Sequence, residues 1–172
     1  LWACGSLMVF TVLPLFITEE LGASHLSLGL LEGVAVGFAF FAKVIAGIMS
    51  DVHGRRRPFI LLGTVVSAVS KPLFVFATSL GGVFAIRFLD RFSKGIRSAP
   101  TDAFITDITP HSKLTYAFGI KQALYTSGAI CGALATMFIL YFYEGAYRLV
   151  FSLASIPAIA AVVICVFLPD KR

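Results

Sequence analysis

Six long apolar runs divide this chain, at about residues 1–20, 28–49, 59–78, 82–104, 116–142 and 148–168. Each is near the ~20 residues that an α-helix needs to cross ~30 Å of hydrocarbon. The breaks between them are short and carry turn chemistry: LGASHLS, SDVHGRRRP, TSLGG, TDITPHSK, YEGAY and the closing PDKR. A buried helix of a water-soluble domain seldom recurs six times at this length. Composition agrees, with 58% of residues hydrophobic and only 13% charged over 172 residues. Too little polar surface remains to keep a domain of this size dissolved. The expectation is one all-α membrane domain, a bundle of six spans.

Loop charge sets the expected orientation. Arg55, Arg56 and Arg57 follow the second run, Lys113 follows the fourth, and Lys171 and Arg172 follow the sixth. The alternate loops hold Glu19, Glu20, His25 and Glu144, with Arg148 the one nearby base. Basic residues favour the cytoplasmic side, so both ends of the segment are expected there. Leu1–Leu21 lacks a basic lead and a cleavage site, and is expected to be a retained span rather than a signal peptide.

The turn GIMSDVHGRRRPF, residues 47–59, holds more than a topology signal needs. Asp51 stands four residues before Arg55, within reach for an ion pair. Gly54 permits a backbone conformation that other residues avoid, and Pro58 suits the first turn of a helix. Asp107 closes the fourth span on the same side and offers Arg55 a second carboxylate. Asp51, Gly54, Arg55 and Asp107 are therefore expected to form a charge cluster that latches one conformation.

Ionisable residues inside spans are costly, and are candidates for function by default. The fourth run holds most of them. At 100° per residue, Arg87, Asp90, Arg91, Lys94, Arg97, Ser98 and Asp102 fall within about 140° of arc. Phe88, Leu89, Phe92, Ile96 and Ala99 occupy the other side. Asp90 can reach Arg87 at i−3 and Lys94 at i+4. Arg91 lies roughly 13 Å from either end of the span, too deep to reach the surface cheaply. It is the first candidate for meeting a substrate or the partner of a coupling proton.

Glu32 and Lys43 lie towards the two ends of the second run, where long side chains can snorkel to the interface. Lys71 shares a helical face with Thr64 and Ser67, and Lys121 with Tyr125, Gly128 and Gly132. Glu32, Lys71 and Lys121 join Arg87, Asp90, Arg91 and Lys94 as candidates for lining a pathway. Gly29, Gly33 and Gly37, like Gly128 and Gly132, recur every four residues and are expected to let helix backbones approach closely. Within the spans Lys43, Lys71, Arg87, Arg91, Lys94, Arg97 and Lys121 outnumber Glu32, Asp90 and Asp102, which leans towards an anionic small-molecule substrate.

The spacing Gly47-x3-Asp51-x2-Gly54-Arg55-Arg56 between the second and third spans resembles the signature of the major facilitator superfamily of transporters. Arg91-Phe92-Ser93-Lys94-Gly95-Ile96-Arg97-Ser98-Ala99 is similar to that superfamily's fourth-helix motif. DRFSKGIRSAPTDAFITDITP further resembles a bacterial branch of it. The resemblance implies a secondary transporter, or permease, of twelve spans in the inner membrane. This chain would be its N-terminal six-helix half, and a C-terminal half would be its partner. It also implies alternating access, ion coupling such as symport, and no enzymatic activity. Leu114, Thr115 and Tyr116 depart from the basic run that often follows the fourth span, and no proline follows Gly132.

Other chemistries find little footing. Cys4, Cys131 and Cys165 have neither metal nor redox spacing, and no phosphate loop or nucleophile elbow occurs. No cofactor and no nucleic acid are expected. The net charge of +5 goes to orientation and buried sites. Two readings from other classes stand beside the transporter. One is a membrane enzyme acting on lipid head groups, with Asp90, Asp102 and Asp107 holding a metal; the spacing turns Asp107 about 140° from Asp102. The other is a non-transporting receptor or assembly subunit.

Overall fold

The structure, a computed structural model, describes residues 1–143 and 145–167. Glu144, Lys171 and Arg172, three of the loop charges considered above, lie outside the described residues. Helix α1 spans Trp2–Leu15 and continues as a π-helical turn over Phe16–Glu20. The others are α2, His25–His53; α3, Arg57–Leu73, with a 3₁₀ turn at Phe74–Phe76; α4, Leu80–Ile108; α5, Leu114–Phe142; and α6, Tyr147–Val166. No strand occurs among the described residues. The protein is all-α.

Several helices run past the apolar runs because caps, not hydropathy, end them. Ser24 accepts a hydrogen bond from the Ser27 amide at 3.2 Å and opens α2. Gly54, at φ +62°, closes it in the left-handed conformation that favours glycine. Ser79 caps α4 through the Gly82 amide at 3.2 Å. Helices α1, α2, α3, α5 and α6 are long and apolar enough to cross a membrane. Helix α4, at 29 residues, has the length but carries the charges.

Helix α4 packs on α2 and α3, while α1 packs on α5 and α6, and α3 meets α6. The first three helices thus mirror the last three. Matching glycines make the contacts close. A Cβ at Gly95 of α4 would strike the Ala39 carbonyl of α2, and one at Gly132 of α5 would strike the Cys4 carbonyl of α1. A Cβ at Gly63 of α3 would lie 2.7 Å from the Ser93 carbonyl of α4, and one at Gly5 of α1 would lie 2.8 Å from the Ala154 carbonyl of α6. Helices in lipid associate through such contact, because hydrocarbon gives apolar faces no reason to leave it.

Gly29, Gly33 and Gly37 behave otherwise, with nothing within 4 Å of a Cβ placed there. Helix α2 turns Leu31, Ala35, Ala42, Ala46 and Ser50 inward and leaves the glycine face open. The four-residue repeat therefore marks close packing in α5 but not, among the described residues, in α2. An aromatic core fills the end of the bundle near Glu20: Phe16 packs edge-on against Phe151 at 5.4 Å, and Phe74 stacks on Phe151 at 5.3 Å.

Candidate functional site: a chain of buried ion pairs across α4

The charged arc of α4 does not face one water-filled side. It divides among four neighbouring helices. Arg87 Nε donates to Glu32 Oε1 of α2 at 2.6 Å, and Arg91 Nη2 donates to Glu32 Oε2 at 2.8 Å. One carboxylate therefore serves two guanidiniums. Both guanidiniums also lie 5.4 Å from the ring centroid of Phe10 on α1, whose face attracts cations.

A second cluster lies behind the first. Asp90 Oδ1 accepts from Ser67 Oγ at 2.9 Å, Ser70 Oγ at 3.2 Å and Lys71 Nζ at 3.3 Å, all on α3. Asp90 Oδ2 lies 3.7 Å from Arg87 Nη1, which joins the two clusters. Lys71, Asp90 and Arg87 are 2%, 6% and 1% exposed. Charges at that depth are tolerated when paired and hydrogen-bonded, as these are. The pairing is incomplete at two points: Arg87 Nη2 and Arg91 Nε are buried without an acceptor.

Two expectations of side-chain reach need correction. Lys94 does not reach Asp90, whose oxygens are taken by α3 and Arg87; it turns to α5 and donates to Tyr125 Oη at 3.3 Å. Lys71, a pathway candidate, is buried between α3 and α4 among the described residues. Glu32 does not snorkel, because α2 starts at His25 and sets it about two turns inside the helix. Lys121 pairs with Asp102 across the α4–α5 gap, both partly exposed. Arg97, 6% exposed, lies 5.0 Å from the Trp2 ring centroid.

At the Gly54 end, the charge cluster forms around a different arginine from the one expected. Arg56, not Arg55, pairs with Asp51, reaches Asp107 Oδ2 at 3.2 Å through Nε, and donates to Ser50 Oγ at 3.0 Å. The turn explains it. Left-handed Gly54 sends Arg55 outward, where it is exposed, and Arg56 is the next side chain to face back between α2 and α4. Burial opposes the charge on Arg56, but hydrogen bonds to Asp51 and Asp107 hold its guanidinium above its ordinary value. Arg57 donates to the Val166 carbonyl and ties α3 to the end of α6. At the opposite end Glu20 pairs with Arg148 at 3.0 Å, and Tyr147 donates to Glu19.

Sequence reasoning set Ser67 on the Lys71 face, and Lys71 Nζ donates to its Oγ at 2.8 Å, but it did not find Phe10 or Ser70 as partners. An aromatic in an apolar run and a serine in a helix carry no distinguishing signal on their own. Asp90, Asp102 and Asp107 go to three different bases, Lys71, Lys121 and Arg56, and do not converge on a metal-sized space.

Two mirrored groups of three helices, with ionisable side chains held between them at depth, define a polytopic membrane protein of the kind built from internal repeats. The sequence agrees at the level of family. The chain belongs to the Major Facilitator Superfamily, whose family model matches residues 2–172. An uncharacterised MFS-type transporter of Methanocaldococcus jannaschii is 38% identical over 138 residues, covering 80% of this chain and 34% of the relative. A probable plastidic glucose transporter of Arabidopsis thaliana is 30% identical over 153 residues, covering 83% of this chain and 29% of the relative. An uncharacterised protein of Mycobacterium tuberculosis is 24% identical over 155 residues, covering 90% and 38%. The chain thus spans about a third of the length of the curated relatives it matches.

Proposed function

We propose that this chain is the N-terminal half of a secondary active transporter, a permease that moves a small anionic solute by alternating access against a C-terminal six-helix half. Its setting is the inner membrane of a bacterium, with both ends of the segment cytoplasmic. The observation that carries the substrate charge is the sharing of Glu32 by Arg87 and Arg91, with two guanidinium nitrogens left unpaired at depth. A buried donor without an acceptor is expensive, and an anion supplies the missing acceptor.

The same geometry supports coupling to protons. Glu32 faces Arg87 and Arg91 on α4, and both guanidiniums lie over the ring of Phe10 on α1. An anion drawn to Arg91 competes with the Glu32 carboxylate for the same donor. Once displaced, that carboxylate takes up a proton more readily, so anion and proton load together as in symport. Lys71 and Asp90 hold α4 in register behind the site. The Arg56 cluster latches the outward-open state.

The test is uptake by the full-length protein in proteoliposomes, driven by an imposed proton gradient. Arg91→Ala is expected to abolish uptake of an anionic solute at normal membrane abundance. Glu32→Gln is expected to keep anion exchange but lose its dependence on the gradient. Near-normal, gradient-driven flux in both variants would falsify the reading.

A further inference from the structure

At the level of Glu32, one aromatic ring bridges α1 and α4. Helix α1 packs on α5 and α6, and α4 packs on α2 and α3. Across the seam between those two groups, the Arg87 and Arg91 guanidinium carbons each lie 5.4 Å from the centroid of Phe10. Burial does not explain where that ring sits. Met8, Val9, Val12 and Leu13 of the same helix are at most 5% exposed, whereas Phe10 is 43% exposed. The ring is turned out of the apolar core and onto two charges.

Those charges need a counterweight. Arg87 and Arg91 stand four residues apart on one helix, where like charges repel. Glu32 brings one negative charge for both. Asp90, 3.7 Å from Arg87, already answers Lys71. Among these five side chains, three cations face two carboxylates. An aliphatic side chain in place of the ring would offer the guanidiniums nothing. Another carboxylate there would cancel the excess but also take the N–H groups it met. An aromatic face attracts a cation through its quadrupole and leaves the in-plane donors of a guanidinium uncommitted. That matches what is found: Arg87 Nη2 and Arg91 Nε are buried without an acceptor.

We infer that Phe10 is the positioning residue of the anion site: its ring holds the Arg87 and Arg91 guanidiniums together over Glu32 and leaves N–H donors free for a solute. This rests on the transporter reading above and adds the part that keeps the anion receptor primed. The demand is electronic rather than steric. Other aromatic rings should serve, and an aliphatic side chain of similar bulk should not.

The test replaces Phe10, in the full-length protein in lipid nanodiscs, with 4-fluoro-, 3,5-difluoro- and 3,4,5-trifluorophenylalanine. The series nearly keeps the shape of the ring and drains negative potential from its face step by step. Melting temperature is expected to fall with each added fluorine, and to lose that trend in a background carrying Arg87→Gln and Arg91→Gln. The same series at Phe138, which packs on Phe142, should show no trend. Nitrogen-15 spectra of labelled arginine give a second reading that stands even where the double variant fails to fold. The Arg87 and Arg91 Nε–H signals, assigned by their loss in Arg87→Lys and Arg91→Lys, should be sharp in the parent and in Phe10→Tyr, and broadened in Phe10→Leu. A flat fluorine series, a series equally steep in both backgrounds, or sharp signals in Phe10→Leu overturns the inference. Radiolabelled phosphate and benzoate, offered to the same protein in proteoliposomes under a proton gradient, separate it from the reading on which it rests. Uptake of either that Arg91→Ala abolishes, beside a flat series, would leave the transporter reading standing. A clear fluorine trend with uptake of neither would overturn that reading and keep the hold of the ring on the guanidiniums.

Discussion

Lys71 Nζ lies 3.3 Å from Asp90 Oδ1 between α3 and α4, with both side chains almost wholly removed from solvent. Within the described residues both face each other rather than an open space. Their pairing instead fixes how α4 is rotated, and that rotation brings Arg87 and Arg91 to Glu32.

Breaking this pair from one side should be costly. Lys71→Met leaves Asp90 to Arg87 and two serines, and should destabilise the protein by about 3 kcal/mol. The double change Lys71→Met with Asp90→Asn removes both charges and should recover part of that loss. Thermal unfolding in detergent, read against membrane abundance, checks both. A single variant as stable as the parent would show that the pair contributes nothing.

The latch gives a comparison within one turn. Arg56 is the residue that touches Asp51 and Asp107, so Arg56→Gln, Asp51→Asn and Asp107→Asn should each shift the balance of inward and outward conformers. The partners are partly exposed, at ~1 kcal/mol per pair, which corresponds to about fivefold. Arg55→Gln should shift it little. Cysteine accessibility near the Gly54 end of the full-length protein measures the balance. An Arg55 effect as large as that of Arg56 would sink the assignment.

Orientation can be read with impermeant thiol reagents. His25→Cys and Thr78→Cys, both exposed, should label from outside intact cells. Arg55→Cys and His111→Cys, exposed at the other end, should label only after permeabilisation. The reverse pattern would invert the topology.

Glycine substitutions should separate the two repeats. Gly132→Val forces α5 off the Cys4 backbone and should lower stability by about 3 kcal/mol or block insertion. Gly29→Val places its Cβ where no described atom lies within 4 Å and should leave the six helices intact. Abundance and melting temperature distinguish the two.

Much of the fold was legible because length and hydropathy act on each helix separately. Six apolar runs with short breaks required a helical membrane bundle, and the polar arc of α4 named Arg87, Asp90 and Arg91 before any contact was known. What stayed hidden depends on other helices. Arg55 and Arg56 are adjacent bases in the sequence, and only the left-handed turn at Gly54 decides which one returns to Asp51. Lys94 and Lys71 both lay within helical reach of acids or serines. Which of them meets Asp90 is settled by how α3 and α5 approach α4. The glycines of α2 and α5 share one spacing, yet among the described residues only α5 uses it against a neighbour.

Helix α4 carries Arg91 at one level and Asp107 at another, sixteen residues on, or about 24 Å of continuous helix. Under the proposed alternating access it would act as a lever. A tilt of about 10° around Arg91 would carry Asp107 through roughly 4 Å, more than the 3.2 Å contact with Arg56 can absorb. In that proposed cycle, loading at Glu32 and release of the Gly54 turn would be two ends of one motion, with no relay of side chains needed between them. Gly95, pressed against Ala39 one turn from Arg91, holds the helix to α2 beside that pivot.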